Sequence, residues 1–314
     1  MAEGTIYDSI IIGAGPAGLT AAVYLLRADK KVLLLEKATI GGGITSTPLI
    51  ENYPGFVQIS GEQLADSLYD QVSNLGGELE VWEATKIEED KTKVDGKKVW
   101  KISTDGPDFF GKTVIVATGT TYRKLGLPRE EELIGHGISF CVTCDGAFYK
   151  DQVVGVIGGG NTAITNALEL SEIAKKVIVI QNLPELTAEK VLVDKLLAKD
   201  NVEVIYNAGV KEYIGDEELK GIVIETGPEG KKEEKKIDLD GIFISIGLVP
   251  QTGFIKDFLE LNKFNYIESG EDCNTNAEGI FVAGDVRNKA YHQITTATSD
   301  GTVAALEVQK YLDK

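Results

Sequence analysis

The sequence contains few of the residues that build metal centres or disulfide frameworks: it has three cysteines and two histidines among 314 residues. A tetrahedral zinc site needs four ligands, and Cys141 and Cys144 would have to draw the other two from Cys273, His136 and His292. Three cysteines, two of them close together in sequence, also do not form the bridged scaffold of a secreted protein. The close pair is therefore interpreted as a redox pair without a metal, with zinc as the disfavoured alternative.

Long apolar runs and an excess of positive charge are absent as well. No apolar stretch reaches the roughly eighteen residues of a membrane span, and the N-terminus lacks the basic start of a secretion signal. The formal net charge of -17 disfavours nucleic acid and anionic membranes as partners. These observations predict a cytoplasmic protein, and its length is sufficient for two domains.

A dinucleotide-binding unit is predicted near the N-terminus. Residues 7–12 read YDSIII, a buried strand, and Gly13-Ala14-Gly15-Pro16-Ala17-Gly18 then lead into a helical pattern over 19–30. The next strand, KKVLLLE, ends at Glu36, where such units place the acid that binds the adenosine ribose. The glycines permit a tight turn, the approach of a pyrophosphate and close packing of helix on strand.

The same pattern occurs a second time. DQVVGVI is a strand, Gly158-Gly159-Gly160-Asn161-Thr162-Ala163 form the turn, and a helix and the strand KVIVI follow. Two such platforms indicate a flavin on one and a nicotinamide on the other. The second strand continues as Gln181-Asn182-Leu183-Pro184, however, with neither the acid that binds a ribose nor the arginines that bind a 2′-phosphate.

The remaining segments have weaker patterns. The glycine-rich loop over 41–47 and the ENYPG segment at 51–55 have little intrinsic order, so a flat cofactor is a candidate for ordering them. Residues 61–77 predict an amphipathic helix, and residues 79–116 a strand meander with a turn at Asp95-Gly96. A second meander is predicted over 202–246, with the charged run 231–236 as a solvated hairpin tip.

Near the C-terminus, residues 279–285 read GIFVAGD, another strand that ends in a glycine and an acid. Asp285 is suited to bind a polyol hydroxyl, although an ordinary cap is the alternative. Gln293 and Ile294 lead into a terminal helix over 295–312, whose N-terminal dipole would stabilise a reduced, anionic ring.

The segment Cys141-Val142-Thr143-Cys144-Asp145-Gly146 carries the redox chemistry. Two cysteines at this spacing can form a small disulfide ring, and the adjacent acid can exchange protons.

Taken together, GAGPAG, GGGIT with ENYPG, ATG, CVTCDG, IGGGNTA and GIFVAGDV resemble the low-molecular-weight thioredoxin reductases in order and approximate spacing, nearly end to end. The resemblance implies an α/β fold with two Rossmann-like, three-layer ββα domains, the second inserted into the first. Residues 1–117 and 248–314 would form the FAD-binding domain, and residues 118–247 an NAD(P)-type domain that carries the CxxC. It also implies FAD as cofactor, a homodimer and a thioredoxin-like partner.

The resemblance also assigns roles to residues. Cys144 would be the thiol next to the flavin, Cys141 the thiol that attacks the partner's disulfide, and Asp145 the acid that manages protons. At Gly43 the family usually has glutamine, so only backbone contact is expected there. The positions implied to contact FAD are Gly13, Gly15, Pro16, Ala17, Gly18, Glu36, Lys37, Gly43, Ile44, Thr45, Asn52, Ala117, Gly119, Gly284, Asp285, Gln293 and Ile294.

One departure concerns the electron donor. Members that use NADPH carry His-Arg-Arg after the second strand of the inserted domain and a further arginine, and the matching positions here are Gln181, Asn182, Leu183 and Thr187. The loss of several charge-assisted bonds, each worth roughly 1.5–3 kcal/mol, predicts inefficient use of NADPH. NADH, a reduced ferredoxin or another reduced flavin or deazaflavin carrier are the alternatives.

An acidic ferredoxin would need a local basic patch, for which the candidates are Lys91, Lys93, Lys97, Lys98 and Lys101. Two other functions are consistent with the sequence. A flavin dithiol oxidase would pass electrons to oxygen and needs no nicotinamide site, and a non-catalytic FAD-binding protein would not need Cys141.

Overall fold

The computed structural model describes residues 5–45, 47, 50, 52–227, 232–256 and 258–314, without the side chains of residues 143 and 144. The chain forms two compact units. Unit 1 comprises Met1–Thr121 and Val249–Lys314, and unit 2 comprises Tyr122–Leu248. Unit 2 therefore interrupts unit 1 in sequence.

Seventeen strands and seven α-helices are present in the described part of the chain. The strands are β1 (Ile6–Ile12), β2 (Val32–Glu36), β3 (Glu78–Val81), β4 (Ala84–Val94), β5 (Lys97–Thr104), β6 (Phe109–Val116), β7 (Thr120–Tyr122), β8 (Ile138–Ser139), β9 (Val153–Ile157), β10 (Lys176–Ile180), β11 (Val202–Ile205), β12 (Ala208–Ile214), β13 (Gly221–Thr226), β14 (Glu233–Asp238), β15 (Gly241–Ile244), β16 (Leu248–Pro250) and β17 (Ile280–Val282). The helices are α1 (Pro16–Arg27), α2 (Gly61–Asn74), α3 (Glu130–Leu133), α4 (Val142–Asp145), α5 (Asn161–Ser171), α6 (Lys190–Leu197) and α7 (Ile294–Leu312).

The main sheet of unit 1 has the strand order β3-β2-β1-β6-β5-β4, and β17 also pairs with β6. Strands β1, β2, β3, β6 and β17 run parallel to one another in this sheet, whereas β5 pairs antiparallel with both β6 and β4. The carboxyl ends of the parallel strands therefore meet at one edge, where α/β sheets bind ligands.

Alternate side chains of β1 belong to two different apolar layers in unit 1. Ile11 packs with helices α1 and α7 through residues such as Leu25 and Val308. Ile10 points to the opposite face, where it clusters with residues that include Trp100 of β5. Because both faces are covered, the central strands read as continuous apolar runs.

Unit 2 has a second parallel sheet, in the order β11-β10-β9-β15-β8, and a separate antiparallel sheet, β12-β13-β14. Val154 and Val156 of β9 cluster with Leu170 of α5 on one face. Ile157 clusters with Ile224 of β13 on the other face. Unit 2 therefore has helix, parallel sheet and antiparallel sheet as three layers, and the predicted Rossmann-like α/β class is confirmed.

The prediction of a single meander over 202–246 is wrong at both ends. Strands β11 and β15 pair in parallel within the main sheet of unit 2. All four residues of β15 are buried, which is typical of a central parallel strand and gives no alternation to distinguish it from a meander strand.

The charged run at 231–236 is also not simply a hairpin tip. Residues 228–231 lie outside the described residues, and Glu233–Asp238 form β14, which pairs with β13 at the edge of its sheet. Exposed charges on such an edge strand oppose pairing with another chain.

In unit 1 the meander is limited to β4, β5 and β6, because β3 pairs in parallel with β2. The predicted turn at Asp95-Gly96 is confirmed, and both residues have positive φ values of 53° and 76°. Within the described residues, no helix combines the length and the apolar character needed to cross a membrane.

Helix α7 packs closely against helix α1 at Gly301. A Cβ atom on Gly301 of α7 would lie 2.2 Å from the carbonyl oxygen of Ala17 in α1. Gly301→Ala should therefore lower the free energy of unfolding by about 1–3 kcal/mol, although alanine is the better helix former. Urea unfolding followed by circular dichroism measures the change.

The matched control is Gly209→Ala in β12, where an added Cβ would meet no atom within 4 Å. This variant should differ from the parent by no more than about 0.5 kcal/mol. Equal urea midpoints for the Gly301→Ala variant and the parent would contradict the close packing of the two helices.

Candidate functional site

The first glycine turn lies at the carboxyl edge of the sheet in unit 1. Gly13 has a φ of 109°, and a Cβ atom there would lie 2.3 Å from the carbonyl oxygen of Ala117 at the end of β6. Its amide donates to the carbonyl oxygen of Leu35 at 2.7 Å. Only glycine can therefore turn the chain so close to both neighbouring strands, and helix α1 begins over this edge at Pro16.

Glu36 is fixed beside this turn at the end of β2. Its Oε2 accepts the Ala14 amide at 2.8 Å, and its Oε1 accepts the Ala38 amide at 3.0 Å. Each carboxylate oxygen keeps a further lone pair for a ligand hydroxyl.

Glu36 also lines a cavity of about 510 Å³ within unit 1. The walls include Lys37, Trp82 and Phe254, so the cavity presents a cation and aromatic faces beside the carboxylate. The other lining residues are Ile12, Gly13, Leu35, Glu83, Ala84, Thr85, Thr118, Gln251 and Gly253.

The glycine-rich loop after β2 packs against the same turn. The Gly41 amide donates to the carbonyl oxygen of Ala14 at 2.7 Å, and Gly42–Ile44 form a short 3₁₀ helix. Thr45 Oγ1 donates to the carbonyl oxygen of Gly42 at 2.9 Å. An added Cβ at Gly43 would have no atom within 4 Å, so this position leaves open space. Residue 46 of the glycine-rich loop and residue 51 of the ENYPG segment lie outside the described residues, as do residues 48 and 49 between them.

The strand ends at Ala117 and at β17 complete this edge. The Ala117 amide donates to the carbonyl oxygen of Ile12 at 2.8 Å, and the Gln251 amide donates to that of Gly119 at 3.0 Å. Gly284 follows β17, and its amide donates to Asp300 Oδ2 at 3.1 Å. These contacts place both strand ends around the glycine turn.

Asp285 carries a buried carboxylate oxygen that lacks a hydrogen-bond partner within the described chain. That oxygen, Oδ1, lies 3.1 Å from Lys289 Nζ, which makes an ion pair without hydrogen-bond geometry. Buried polar atoms are nearly always satisfied in folded proteins, so an oxygen without a partner is a candidate ligand contact.

A buried ion network lies behind Asp285. Asp300 accepts from Arg287 Nε at 2.9 Å and from Arg287 Nη2 at 3.0 Å, and its Oδ2 lies 3.1 Å from Lys289 Nζ. Lys289 therefore connects two carboxylates, and its side chain is 8% exposed. The network fixes the backbone around Gly284 and the orientation of Asp285.

The start of α7 lies near this network in the sequence. The Gln293 amide donates to Thr296 Oγ1 at 3.1 Å, and Asn52 Nδ2 donates to Gln293 Oε1 at 3.3 Å. The ring of His292 stacks on Tyr266 with centroids 5.6 Å apart. Burial lowers the pKa of His292 below its ordinary value, because it disfavours the charged ring.

The cysteine segment lies in unit 2, at the end of β8. Cys141 is disulfide-bonded and Cys273 is a free, buried cysteine. Residues Val142–Asp145 form helix α4, and the Asp145 amide donates to the carbonyl oxygen of Cys141 at 3.1 Å. The side chain of Cys144 lies outside the described residues.

A buried serine connects the ends of this segment. Ser139 Oγ lies 2.6 Å from Asp145 Oδ2 and accepts the Cys141 amide at 3.1 Å. Tyr149 follows in a short 3₁₀ helix, and burial together with the negative charge of Asp145 raises its pKa.

The second glycine turn has the geometry of the first. Gly158 has a φ of 126°, and a Cβ atom there would lie 2.5 Å from the carbonyl oxygen of Ser245 at the end of β15. Its amide donates to the carbonyl oxygen of Ile180 at 2.9 Å. The backbone of a nucleotide-binding turn is therefore present in unit 2.

The strand end beside the second turn has different chemistry. Gln181 is buried, its Nε2 donates to the carbonyl oxygen of Glu185 at 2.9 Å, and its Oε1 accepts the Asn182 amide at 3.1 Å. Its carboxamide lies so close to Gly159 that a Cβ atom on this glycine would be 2.4 Å from Gln181 Nε2. The Thr187 amide also donates to the carbonyl oxygen of Gly159 at 2.8 Å, so the segment folds back onto the turn.

The segment 181–189 contains two acids, Glu185 and Glu189, and no lysine or arginine. The next cation along the chain is Lys190, whose Nζ lies 2.7 Å from Asp194. This end of β10 therefore has no cation of its own that could bind a phosphate.

Unit 1 gathers the glycine turn with Glu36, the 41–45 loop and the strand ends at Ala117 and Gly284 around one edge of its sheet. The residues with predicted redox roles, Cys141, Cys144 and Asp145, belong to unit 2. Sequence reasoning missed Arg287, Lys289 and Asp300. Asp300 was detectable, because it falls on the buried face of α7 with Ala297, Gly301 and Ala304, where a charge requires a partner. Within the described chain, no group of three or more His, Cys, Asp or Glu side chains is arranged to hold a metal ion.

Comparison with known proteins gives consistent results. The family model described as pyridine nucleotide-disulphide oxidoreductase matches residues 7–301. The chain is 37% identical over 314 residues to a thioredoxin reductase of Bacillus subtilis, covering 100% of this chain and 97% of that protein. It is 41% identical over 312 residues to a 34.2 kDa protein in the rubredoxin operon of Clostridium pasteurianum, covering 99% of each.

Among solved structures, a thioredoxin reductase of Lactococcus lactis superimposes with a TM-score of 0.79 at 37% identity. The match covers 98% of this chain and 99% of that one.

Proposed function

Because this chain belongs to the pyridine nucleotide-disulphide oxidoreductase family, and within it to the low-molecular-weight thioredoxin reductases, we propose that it reduces a thioredoxin-like protein through a Cys141–Cys144 disulfide without efficient use of NADPH. Relatives at 37–41% identity over nearly the whole chain establish an FAD-dependent enzyme of the thioredoxin-disulfide reductase type. The identity of the electron donor and the roles of individual residues go beyond what these relatives establish.

The residues of unit 1 fit FAD. The cavity beside Glu36 has the size and the aromatic lining that suit an adenosine group, and the carboxylate oxygens of Glu36 keep lone pairs for ribose hydroxyls. The Oδ1 atom of Asp285 is buried and lacks the hydrogen bond that a polyol hydroxyl would supply. Bound FAD supplies a two-electron carrier that can reduce a disulfide.

The remaining predicted contacts support the same placement. The free amides at the start of α1 suit a pyrophosphate, with Gly15, Pro16, Ala17 and Gly18 around them. Lys37, Ile44 and Thr45 belong to the segments that border the turn. Gln293 and Ile294 lie at the start of α7, and Asn52 donates a hydrogen bond to Gln293 there. Each of these roles is a prediction for this chain, as are the homodimer and the cytoplasmic location.

On the protein side, the thiolate of Cys141 would attack the partner's disulfide, and Asp145 would exchange protons with the sulfur atoms. Helix α4 holds Asp145 within one turn of Cys141, and this supports the proton role.

The observation that carries the donor proposal is the end of β10. A 2′-phosphate is bound by charge-assisted hydrogen bonds, chiefly from arginine. The segment 181–189 offers two carboxylates and no cation, and the carboxamide of Gln181 is already engaged by Asn182 and Glu185. These carboxylates would therefore repel the 2′-phosphate of NADPH at the place where that phosphate needs a cation. Unphosphorylated NADH would find no acid at the strand end to bind its ribose.

A reduced protein carrier remains the favoured donor class, but the proposed lysine patch is weaker than its sequence indicates. Lys98 pairs with Glu89 at 2.9 Å, and Lys101 pairs with Asp108 at 2.7 Å. Lys97 Nζ donates to the carbonyl oxygen of Tyr311 at 2.7 Å. Carboxylates thus alternate with the lysines, and an acidic ferredoxin would gain little steering from this hairpin.

The donor proposal is tested by anaerobic mixing of the holoenzyme with NADPH, NADH and reduced ferredoxin in separate experiments. We expect reduced ferredoxin to bleach the flavin absorbance and micromolar NADPH to leave it nearly unchanged, because no cation binds the 2′-phosphate. Oxidised thioredoxin added afterwards should restore the colour, and Cys141→Ser should prevent this restoration. Rapid bleaching by micromolar NADPH would refute the donor proposal, whereas dithiol-dependent oxygen consumption without thioredoxin reduction would favour the dithiol oxidase.

A gain-of-function variant tests the same site by adding the missing cations. Asn182 and Leu183 are exposed, so the double variant Asn182→Arg, Leu183→Arg adds two cations without disturbing the core. It should increase the rate of flavin bleaching by subsaturating NADPH at least about tenfold, with no comparable gain for NADH.

The charge-matched control is Val191→Arg, Leu197→Arg on helix α6, where both side chains are more than half exposed. It should leave the NADPH rate at the parent level. Equal rates in the graft, the control and the parent would show that missing cations do not limit the use of NADPH.

The role of Asp285 is tested by flavin affinity. Asp285→Ala should raise the dissociation constant for FAD by about tenfold to a hundredfold, because a charged hydrogen bond is lost. Reconstitution of the apoprotein, followed by flavin fluorescence, measures this constant. Asp272→Ala, at an exposed position in the same unit, is the control and should bind FAD normally. An unchanged constant in the Asp285→Ala variant would exclude the predicted contact.

A further inference from the structure

Ser139 is a buried polar residue beside the redox segment. It is the last residue of β8 and is 5% exposed. Its Oγ atom lies within hydrogen-bond distance of three groups: Asp145 Oδ2 at 2.6 Å, the Cys141 amide at 3.1 Å and the Cys141 carbonyl oxygen at 3.4 Å. A single hydroxyl thus connects the acid with the backbone of the cysteine.

The hydroxyl has only one proton, so it cannot donate to Asp145 and to the Cys141 carbonyl at once. With Asp145 ionised, the short 2.6 Å contact takes the proton, and the oxygen accepts the Cys141 amide. With Asp145 protonated, the carboxyl group donates to Ser139 Oγ, and the hydroxyl proton can turn to the Cys141 carbonyl oxygen. Both protonation states of Asp145 therefore keep a full set of partners without movement of heavy atoms.

We propose that Ser139 is a positioning residue for disulfide exchange, whose rotating hydroxyl holds Asp145 in place while this carboxyl group gains and loses a proton. The proposal rests on the proposed function, because it assumes that Asp145 exchanges protons with the sulfur atoms.

The exchange reaction shows where such a group is needed. The thiolate of Cys141 attacks one sulfur of the partner's disulfide, a mixed disulfide forms, and the other sulfur leaves as a thiolate that takes up a proton. The thiolate of Cys144 then attacks Cys141, the enzyme's disulfide forms, and the second thiolate leaves and is protonated. Two electrons pass from the enzyme to the partner, and the two protons come from the enzyme's own thiols.

Tyr149 of the following 3₁₀ helix is a titratable group that interacts with Asp145. The pKa of this tyrosine is raised by burial and by the charges of Asp145 and Glu218. Apolar side chains also border this segment, since Leu170 of α5 and Ile173, which follows that helix, lie beside Gly146. Ser139 is thus the hydrogen-bond donor that the described structure supplies to the Asp145 side chain.

The test uses the reduced holoenzyme and two small disulfides that differ in their leaving group. The thiolate released from dithiobis(2-nitrobenzoate) is stable without a proton, whereas the alkyl thiolate released from bis(2-hydroxyethyl) disulfide is a poor leaving group unless protonated. The holoenzyme is reduced with dithiothreitol, freed of excess reductant anaerobically and mixed with each disulfide. Quenching with iodoacetamide and mass spectrometry then count the thiols that remain at each time.

We expect Ser139→Ala to slow oxidation by the alkyl disulfide about tenfold, because the acid is no longer held, and to leave the aromatic disulfide within about twofold. Ser139→Thr retains the hydroxyl and should restore the parent behaviour.

Two further variants keep the test specific. Ser171→Ala removes another buried serine of unit 2, whose Oγ donates to the carbonyl oxygen of Leu168 at 2.6 Å, and should leave both rates unchanged. In an Asp145→Asn background, Ser139→Ala should cause no further loss, because the serine acts through the carboxyl group.

Equal slowing with both disulfides, or the same additional loss in the Asp145→Asn background, would overturn the proposal and assign Ser139 a purely structural role. This experiment needs neither the physiological donor nor thioredoxin. Failure of the parent enzyme to reduce thioredoxin would therefore refute the proposed function but leave the role of Ser139 open to the same measurement.

Discussion

The constraint on which the rest of this structure depends is the absence of a side chain directly after β1 in unit 1 and directly after β9 in unit 2. Gly13 and Gly158 both have positive φ, and each faces a backbone carbonyl that a Cβ atom would approach to 2.3 or 2.5 Å. Such a contact would separate the turn from the neighbouring strand. Because the turn stays tight, a helix begins directly over the carboxyl edge of the sheet, with its free amides available to an anion.

The two units share this backbone and differ in the side chain at the end of the strand that follows each glycine turn, β2 in unit 1 and β10 in unit 2. In unit 1, Glu36 accepts two backbone amides and still presents lone pairs to a cavity. In unit 2, Gln181 is neutral, and its carboxamide spans the following turn from Asn182 to Glu185. The hydrogen bonds that maintain each turn involve the backbone and a buried side chain, so the fold does not require the charge that a nucleotide requires. The backbone of a binding turn can therefore form beside a strand end that carries no charge for a nucleotide.

Much of this arrangement could be predicted from the sequence because its signals are local. The glycine turns, the strands that precede them and the terminal helix each combine apolar periodicity with residues that permit one backbone conformation. The membership of β11 and β15 in a parallel sheet was not predictable in the same way, since pairing partners lie far away in the sequence. The ion network around Asp300 and the contact of Ser139 with Asp145 also depend on tertiary distances, and an isolated serine two residues before a cysteine has no pattern of its own.

In unit 2, the redox segment and the second glycine turn lie at the same edge of the sheet but are separated along that edge. Strands β8, β9, β10 and β15 are parallel, so the redox segment after β8 and the glycine turn after β9 both lie at their carboxyl ends. In the order β10-β9-β15-β8, three strand spacings separate Gln181 from Ser139, or about 14 Å across the sheet. At this distance the residues that would select a nucleotide share no hydrogen bond with those that orient Asp145. Substitutions at the end of β10 can therefore alter the surface beside the second glycine turn without touching the contacts that orient Asp145, because each site depends on a separate local set of contacts.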